Sequence, residues 1–267
     1  MRSLSDFAIG SPGNTRGVGT AADRAGASGA RRTCNHDPAF RVTVPAMTVR
    51  ALPLPRPDPP PDPPLDLTRL HDAAAILARR DPDLGGILAR LGPPPLWDRT
   101  PGFATLVGII LEQQVSLRSG AAALERLERA AGALDPGAIA SLGNAGARAA
   151  GLTRQKARYV VALAEATIDG RFDPIAVAAA TDDDARAQLV ALLGIGRWTA
   201  DIYLLMALGR PDIWPAGDLA LATSMRRAKG LETIPDAAAQ RHIAEAWRPW
   251  RAVAARLLWH AYLAGER

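Results

Sequence analysis

The sequence predicts an all-α fold: two helical lobes with a cleft between them, behind a disordered, Pro-rich N-terminal tail. Three observations carry this expectation. From Leu65 onward apolar residues recur at helical spacing, and no segment alternates convincingly as a strand. Side chains suited to capping, several followed by Pro, mark helix starts along the chain. Hydrophobic residues make up 48% of the chain. Much of that share is Ala, which suits close-packed helices.

The elements follow in order. Residues 1–46 mix Gly, Ser, Arg and Thr without periodicity and read as disordered. Their Arg-rich, acid-poor character also resembles a mitochondrial presequence, although no apolar face supports that. Translation from Met47 is a further alternative. Phe40 to Val49 is the longest strand candidate, and it is short. Residues 53–64 contain eight prolines and read as an extended spacer. The chain therefore divides into a tail, 1–64, and a helical domain, 65–267.

Leu67 to Arg80 and Pro82 to Leu91 read as two short amphipathic helices. Thr100-Pro101 offers a cap and a first-turn proline to a helix through Phe103, Leu106, Ile110 and Leu111. Ser116 caps the next, which ends near Gly132. Asp135-Pro136 and Asp173-Pro174 repeat the start signal. Thr153 opens a helix reaching Ile168, with Gly170 beyond its end. Thr181-x-x-Asp184 resembles a capping box and opens the first helix of the hairpin pair. Asp218 begins a helix that ends at Gly230, Pro235 opens another, and Pro249 opens the last.

Composition narrows the function. The single cysteine, Cys34, excludes a disulfide framework and a Cys-rich metal or iron–sulfur site, and it suits a reducing cytoplasm. No run of about 18 apolar residues suggests a membrane span. Net charge is +5, of which residues 1–60 supply +4. A basic protein suits a polyanionic partner, though an Arg-rich coding bias gives the same balance. Only two of the 32 cations are lysine, Lys156 and Lys229. His71, His242 and His260 show no metal-ligand spacing.

One stretch carries the chemistry. An apolar helical segment stops at Gly194-Ile195-Gly196, and a second begins at Trp198. Two glycines one residue apart let the backbone turn and expose its amides at a helix N-terminus. There the hydrogen bonds and the helix dipole both favour a phosphate. A carboxylate, Asp218, follows at the mouth of the next helix.

Gly194-Ile195-Gly196-Arg197-Trp198-Thr199-Ala200 resembles the hairpin of the helix-hairpin-helix DNA glycosylases. The spacing from Trp198 to Asp218 is similar to that of the 3-methyladenine DNA glycosylase II branch. The resemblance extends to Leu111-Glu112-Gln113-Gln114-Val115-Ser116, to Trp247-Arg248-Pro249-Trp250-Arg251 and to Trp259, covering about residues 66 to 265. It implies a base-excision repair enzyme that flips an alkylated purine out of double-stranded DNA and hydrolyses its N-glycosidic bond. Many members carry an additional N-terminal β domain, for which this chain has no sequence.

The resemblance also implies roles for residues. Asp218 would stabilise the cationic sugar or orient water, although Asp is equally a favoured helix N-cap. At position 198 a lysine would permit backbone cleavage through a Schiff base; Trp198 implies a monofunctional enzyme instead. Trp259 corresponds to the aromatic that stacks on the extruded base, where an indole face would favour a cationic alkylpurine. Trp198, Tyr203 and Trp214 are further pocket candidates, and Ile202 replaces a frequent pocket tyrosine. Gln114 would wedge into the stack, with Gln113 beside the lesion. Gly194, Gly196 and Thr199 would hold one phosphate. No cofactor is implied, although relatives often hold a sodium or potassium ion on hairpin carbonyls. A cytoplasmic monomer is expected. The alternatives are a glycosylase/lyase acting on oxidised bases and a non-catalytic DNA-binding module.

Overall fold

A computed structural model describes residues 63–265, and among these residues every regular element is helical. The expectations for the tail, including the strand candidate and most of the Pro-rich spacer, lie outside the described residues. No described helix is long and apolar enough to cross a membrane.

Twelve α-helices run through the described residues: α1 Leu67–Arg80, α2 Pro82–Leu91, α3 Phe103–Glu112, α4 Leu117–Ala131, α5 Pro136–Ala149, α6 Arg154–Ile168, α7 Pro174–Ala179, α8 Asp182–Val190, α9 Arg197–Met206, α10 Leu219–Ala228, α11 Ala237–Ala244 and α12 Arg251–Leu263. Most of the caps read from the sequence are formed, Thr100 excepted, and Asp66 and Asp81 add two beyond those. Asp66, Asp81, Ser116, Asp135, Thr153, Asp173, Thr181 and Asp218 each accept a backbone N–H in the first turn of their helix. Each such bond satisfies one of the amides a helix start leaves without a partner.

Three starts differ from expectation. Helix α3 begins after Gly102, not at Pro101. The Thr100 carbonyl accepts the Thr105 hydroxyl and the Gly102 N–H donates to the Tyr203 hydroxyl, so tertiary partners set that boundary. Helix α11 begins at Ala237 because Asp236, and not Pro235, supplies the cap, accepting from the amides of Ala238 and Ala239. Helix α12 begins two residues beyond Pro249.

The helices pack as two groups, which are the two lobes. One comprises α3 to α9; in the other α12 packs on α1, α2 and α10. The apolar side of both is one continuous buried cluster that includes Leu106, Ile110, Leu163, Leu204, Leu221 and Leu257. Arg256, 1% exposed on α12, crosses between the groups. Its guanidinium donates to the carbonyls of Leu96 and Leu205 at 2.8 and 2.9 Å. Burial pulls its pKa down to about 10. A planar five-donor group spreads its N–H bonds over carbonyls that lie far apart, wider than the compact three-donor ammonium of lysine can.

A second polar anchor is Asp81. Its carboxylate caps α2 and accepts from Lys229 Nζ at 2.6 Å and Trp247 Nε1 at 2.7 Å. Burial opposes the ionised form, but the Lys229 and Trp247 hydrogen bonds outweigh it and hold this carboxyl below its ordinary value. Folding therefore favours the ionised form. The associated stability is complete above the usual carboxylate range and is lost as pH falls through the lowered folded value. Asp81→Ala is expected to cost about 2–4 kcal/mol, since it removes the cap of α2, leaves the buried Trp247 indole N–H without its acceptor and leaves the Lys229 ammonium with Asp83 alone. Urea unfolding at pH 7 and pH 3 checks this: the difference from wild type shrinks at the lower pH.

Candidate active site

The hairpin is built by local bonds. After α8, Leu192 N–H donates to the Leu189 carbonyl and Ile195 N–H to the Leu192 carbonyl. Leu192 and Ile195 are buried and pin the turn from beneath. Gly194 has φ +85°, a conformation that favours glycine, and the Tyr159 ring occupies the place a Cβ would take. Gly196 is exposed and is the N-cap of α9, with no side chain bonded to the amides of the first turn. Arg197 is exposed beside it. The positive end of α9 is thus presented without a competing carboxylate cap, as phosphate binding requires.

Thr199, expected at the phosphate, faces inward. It is 2% exposed, and its hydroxyl accepts from Gln113 Nε2 at 3.0 Å. The same Gln113 nitrogen donates to the Gly194 carbonyl at 3.1 Å. Gln113 and Thr199 therefore brace the hairpin against the α3–α4 loop. Gln114 differs from its neighbour: it is exposed and holds φ +59°. A non-glycine residue in that region must be held there by its surroundings.

Asp218 is fully buried at the start of α10. Its Oδ1 accepts the Leu221 N–H at 2.9 Å and the Trp259 indole N–H at 3.3 Å. Its Oδ2 accepts the Trp198 indole N–H at 3.1 Å. The carboxylate is thus both a helix cap and the centre of an indole pair. Burial pushes its pKa up from the ordinary value, while these hydrogen bonds act in the opposite direction. Trp198 and Trp259 are 5% and 3% exposed. In this state both indoles are closed around the carboxylate, so no open pocket separates Trp259 from Asp218.

The loop before Asp218 depends on a residue absent from the sequence expectations. Gly217 has φ +90° and donates its N–H to Gln240 Oε1 at 3.1 Å. Gln240 is 2% exposed and also donates to the Pro235 carbonyl at 3.0 Å. Its signal in the sequence is a polar residue one turn before Ala244 on the buried stripe of α11.

Two pocket candidates have other roles. Tyr203 is fully buried, and its hydroxyl accepts from Gly102 N–H at the start of α3. Trp214 packs on Trp247 with ring centroids 5.4 Å apart. Both lysines are also engaged away from Asp218. Lys156 Nζ donates to the Leu111 carbonyl at 2.6 Å, and Lys229 pairs with Asp81 and Asp83. Among the described residues no group of three or more His, Cys, Asp or Glu side chains is placed to hold a metal ion.

Comparison with known proteins follows the same residues. The family model described as "HhH-GPD superfamily base excision DNA repair protein" matches residues 107–249. The chain is 43% identical over 75 residues to a probable bifunctional transcriptional activator/DNA repair enzyme AlkA of Mycobacterium tuberculosis, covering 28% of this chain and 14% of that one. It is 33% identical over 113 residues to DNA-3-methyladenine glycosylase 1 of Schizosaccharomyces pombe, covering 42% of this chain and 50% of that one. The chain therefore matches no more than half the length of either relative. A solved structure of the Schizosaccharomyces pombe 3-methyladenine DNA glycosylase in complex with abasic DNA superposes with a TM-score of 0.65 at 25% identity. It covers 70% of this chain and 95% of that one.

The hairpin geometry carries its own test. Gly194→Ala places a side chain at positive φ and against Tyr159, at an expected cost of about 2–3 kcal/mol. Equilibrium urea unfolding measures it. A change within 0.5 kcal/mol, the size expected at an unconstrained surface site, would contradict this account of the turn.

Proposed function

Because the chain belongs to the HhH-GPD superfamily of base excision DNA repair proteins, we propose that it is a monofunctional DNA glycosylase that removes alkylated purines, such as 3-methyladenine and 7-methylguanine, from double-stranded DNA. The observation that carries this reading is the buried Asp218 carboxylate, which accepts the indole N–H groups of Trp198 and Trp259. Phosphate binding alone needs neither a sequestered carboxylate nor an indole pair. The relatives named 3-methyladenine glycosylases support the choice of lesion.

Binding begins at the hairpin, where the free amides of α9 and the glycine turn take a DNA phosphate. The exposed Gln114 enters the stack and fills the space of the flipped nucleotide. Entry of the base requires Trp259 or Trp198 to leave the carboxylate and turn its face to the purine. A cationic alkylpurine is then favoured by the indole face. Removing an indole donor also strengthens the negative field of Asp218 at the moment the sugar arrives.

The C1′–N bond breaks, and its electron pair leaves with the base, which departs neutral. Asp218 stabilises the positive charge left on the sugar. Water bonds to C1′ and loses a proton, which leaves an abasic site. A lyase would need an amine at the sugar. Trp198 supplies none, and Lys156 and Lys229 are held elsewhere. Hydrolysis of this kind requires no cofactor. An alkali ion at the hairpin would share the Leu192 and Gly194 carbonyls with the bonds they already accept. The enzyme works as a monomer in the cytoplasm, and its affinity for duplex DNA falls as salt rises.

Asp218→Asn tests the assignment. The variant keeps binding to a duplex with an abasic-site analogue, measured by fluorescence anisotropy. Release of 7-methylguanine falls by about 100-fold or more. Unchanged release removes Asp218 from the mechanism. The wild-type rate also has a pH signature. The ionised carboxylate is the active form and burial raises its pKa. Activity is therefore gained as pH rises through a value above the ordinary 3.8 of a free Asp side chain.

A further inference from the structure

The first two turns of α6 touch both parts of the DNA-handling surface. Lys156 Nζ donates to the Leu111 carbonyl at 2.6 Å. Leu111 lies in the last turn of α3, where carbonyls lack helical partners and a cation is favoured. One turn along α6, the Tyr159 ring lies against Gly194 of the hairpin, and its hydroxyl accepts from Gln155. Gln113, the C-cap residue of α3, closes the triangle through its bonds to Gly194 and Thr199.

Between these fixed points stands Gln114, exposed at φ +59°. Its left-handed backbone costs roughly 1–2 kcal/mol for a residue with a Cβ, so the neighbours must impose it. The side chains bonded to this end of α3 in the described residues include Gln113, turned to the hairpin, Lys156, turned to Leu111, and Arg99, which pairs with the Glu112 carboxylate at 3.0 Å; of these, Gln113 and Lys156 tie it to the hairpin and to α6. Burial pushes the Lys156 amine below its ordinary value, so its burial is itself costly.

We propose that Lys156 and Gln113 are positioning residues that fix the wedge Gln114 in register with the phosphate-binding hairpin. Gripping the backbone and opening the stack then occur as one event. Neither residue touches the base. Their effect falls on extrusion of the nucleotide and not on the bond-breaking step. The inference rests on the glycosylase reading.

The test compares the full chain with Lys156→Met, Lys156→Arg and Gln113→Leu. Single-turnover release of 7-methylguanine is followed from two duplexes, one with the lesion paired to cytosine and one with it opposite a mismatched base. The mismatch already weakens the stack, so little positioning is needed there. Lys156→Met is expected to slow release from the paired duplex by about tenfold, the effect of one hydrogen bond to a charged group, and from the mismatched duplex by less than about twofold. Arginine can still reach the carbonyl and restores most of the paired rate. Gln113→Leu follows the pattern of Lys156→Met, which keeps the proposal testable if one variant folds poorly. Equal losses on both duplexes, or no loss on either, would overturn it. Wild-type protein that releases no base from either duplex would defeat the glycosylase reading instead. In that case 2-aminopurine fluorescence beside the lesion decides the positioning claim: opening by wild type that Lys156→Met lacks supports it, and equal signals overturn it.

Discussion

Asp218 is a carboxylate removed wholly from water, and three helices have to be in place to keep it there. Taking an ionised carboxyl out of water costs several kcal/mol unless donors replace the solvent. Here the donors are one backbone amide of α10, the Trp198 indole from α9 and the Trp259 indole from α12. The two indoles come from different lobes, so the lobes must stay in register for the charge to be tolerated. Arg256 helps to set that register, since it carries α12 against carbonyls of the α3–α9 lobe and of the segment before it. The Gly217 turn, held by Gln240, sets the direction from which the carboxylate enters.

Functional consequences follow from the same arrangement. Three donors can hold a carboxylate ionised, but they also spend its negative field. A substrate that displaces one indole regains some of that field and offers the indole a cationic face in exchange. On the proposed reading, the stability cost of the buried charge and its use on a sugar cation are two aspects of one geometry. The hairpin shows the opposite economy. Its amides are left open at Gly196, while Thr199 and Gly194 behind them are held, Thr199 by Gln113 and Gly194 by Gln113 and the Tyr159 ring.

Much of this was legible in the sequence, for identifiable reasons. Helix starts carry their own chemistry, and Ser116, Thr153, Thr181 and Asp218 all cap as their residue types suggest. Gly194 of the hairpin was legible because only glycine suits φ +85° beside an aromatic ring. Boundaries set by distant partners were not. The start of α3 depends on the Tyr203 hydroxyl, 101 residues away in the chain. Side-chain direction was also beyond the pattern. Nothing local says that Thr199 turns inward, or that Tyr203 and Trp214 pack with the core while Trp198 and Trp259 aim their N–H groups at one carboxylate. Gln240 escaped notice because a lone Gln on a helix is ordinary until its neighbours are known.

Product analysis on damaged DNA tests the central claim most directly. Duplex DNA carrying labelled 3-methyladenine and 7-methylguanine is incubated with the full chain, free base is resolved by chromatography, and strand breaks are scored before and after hot alkali. A water-attacking enzyme built around Asp218, with Trp in place of a nucleophilic lysine, gives free base and breaks that arise only after alkali. Breaks before alkali, or intact base with DNA still bound, would contradict that account.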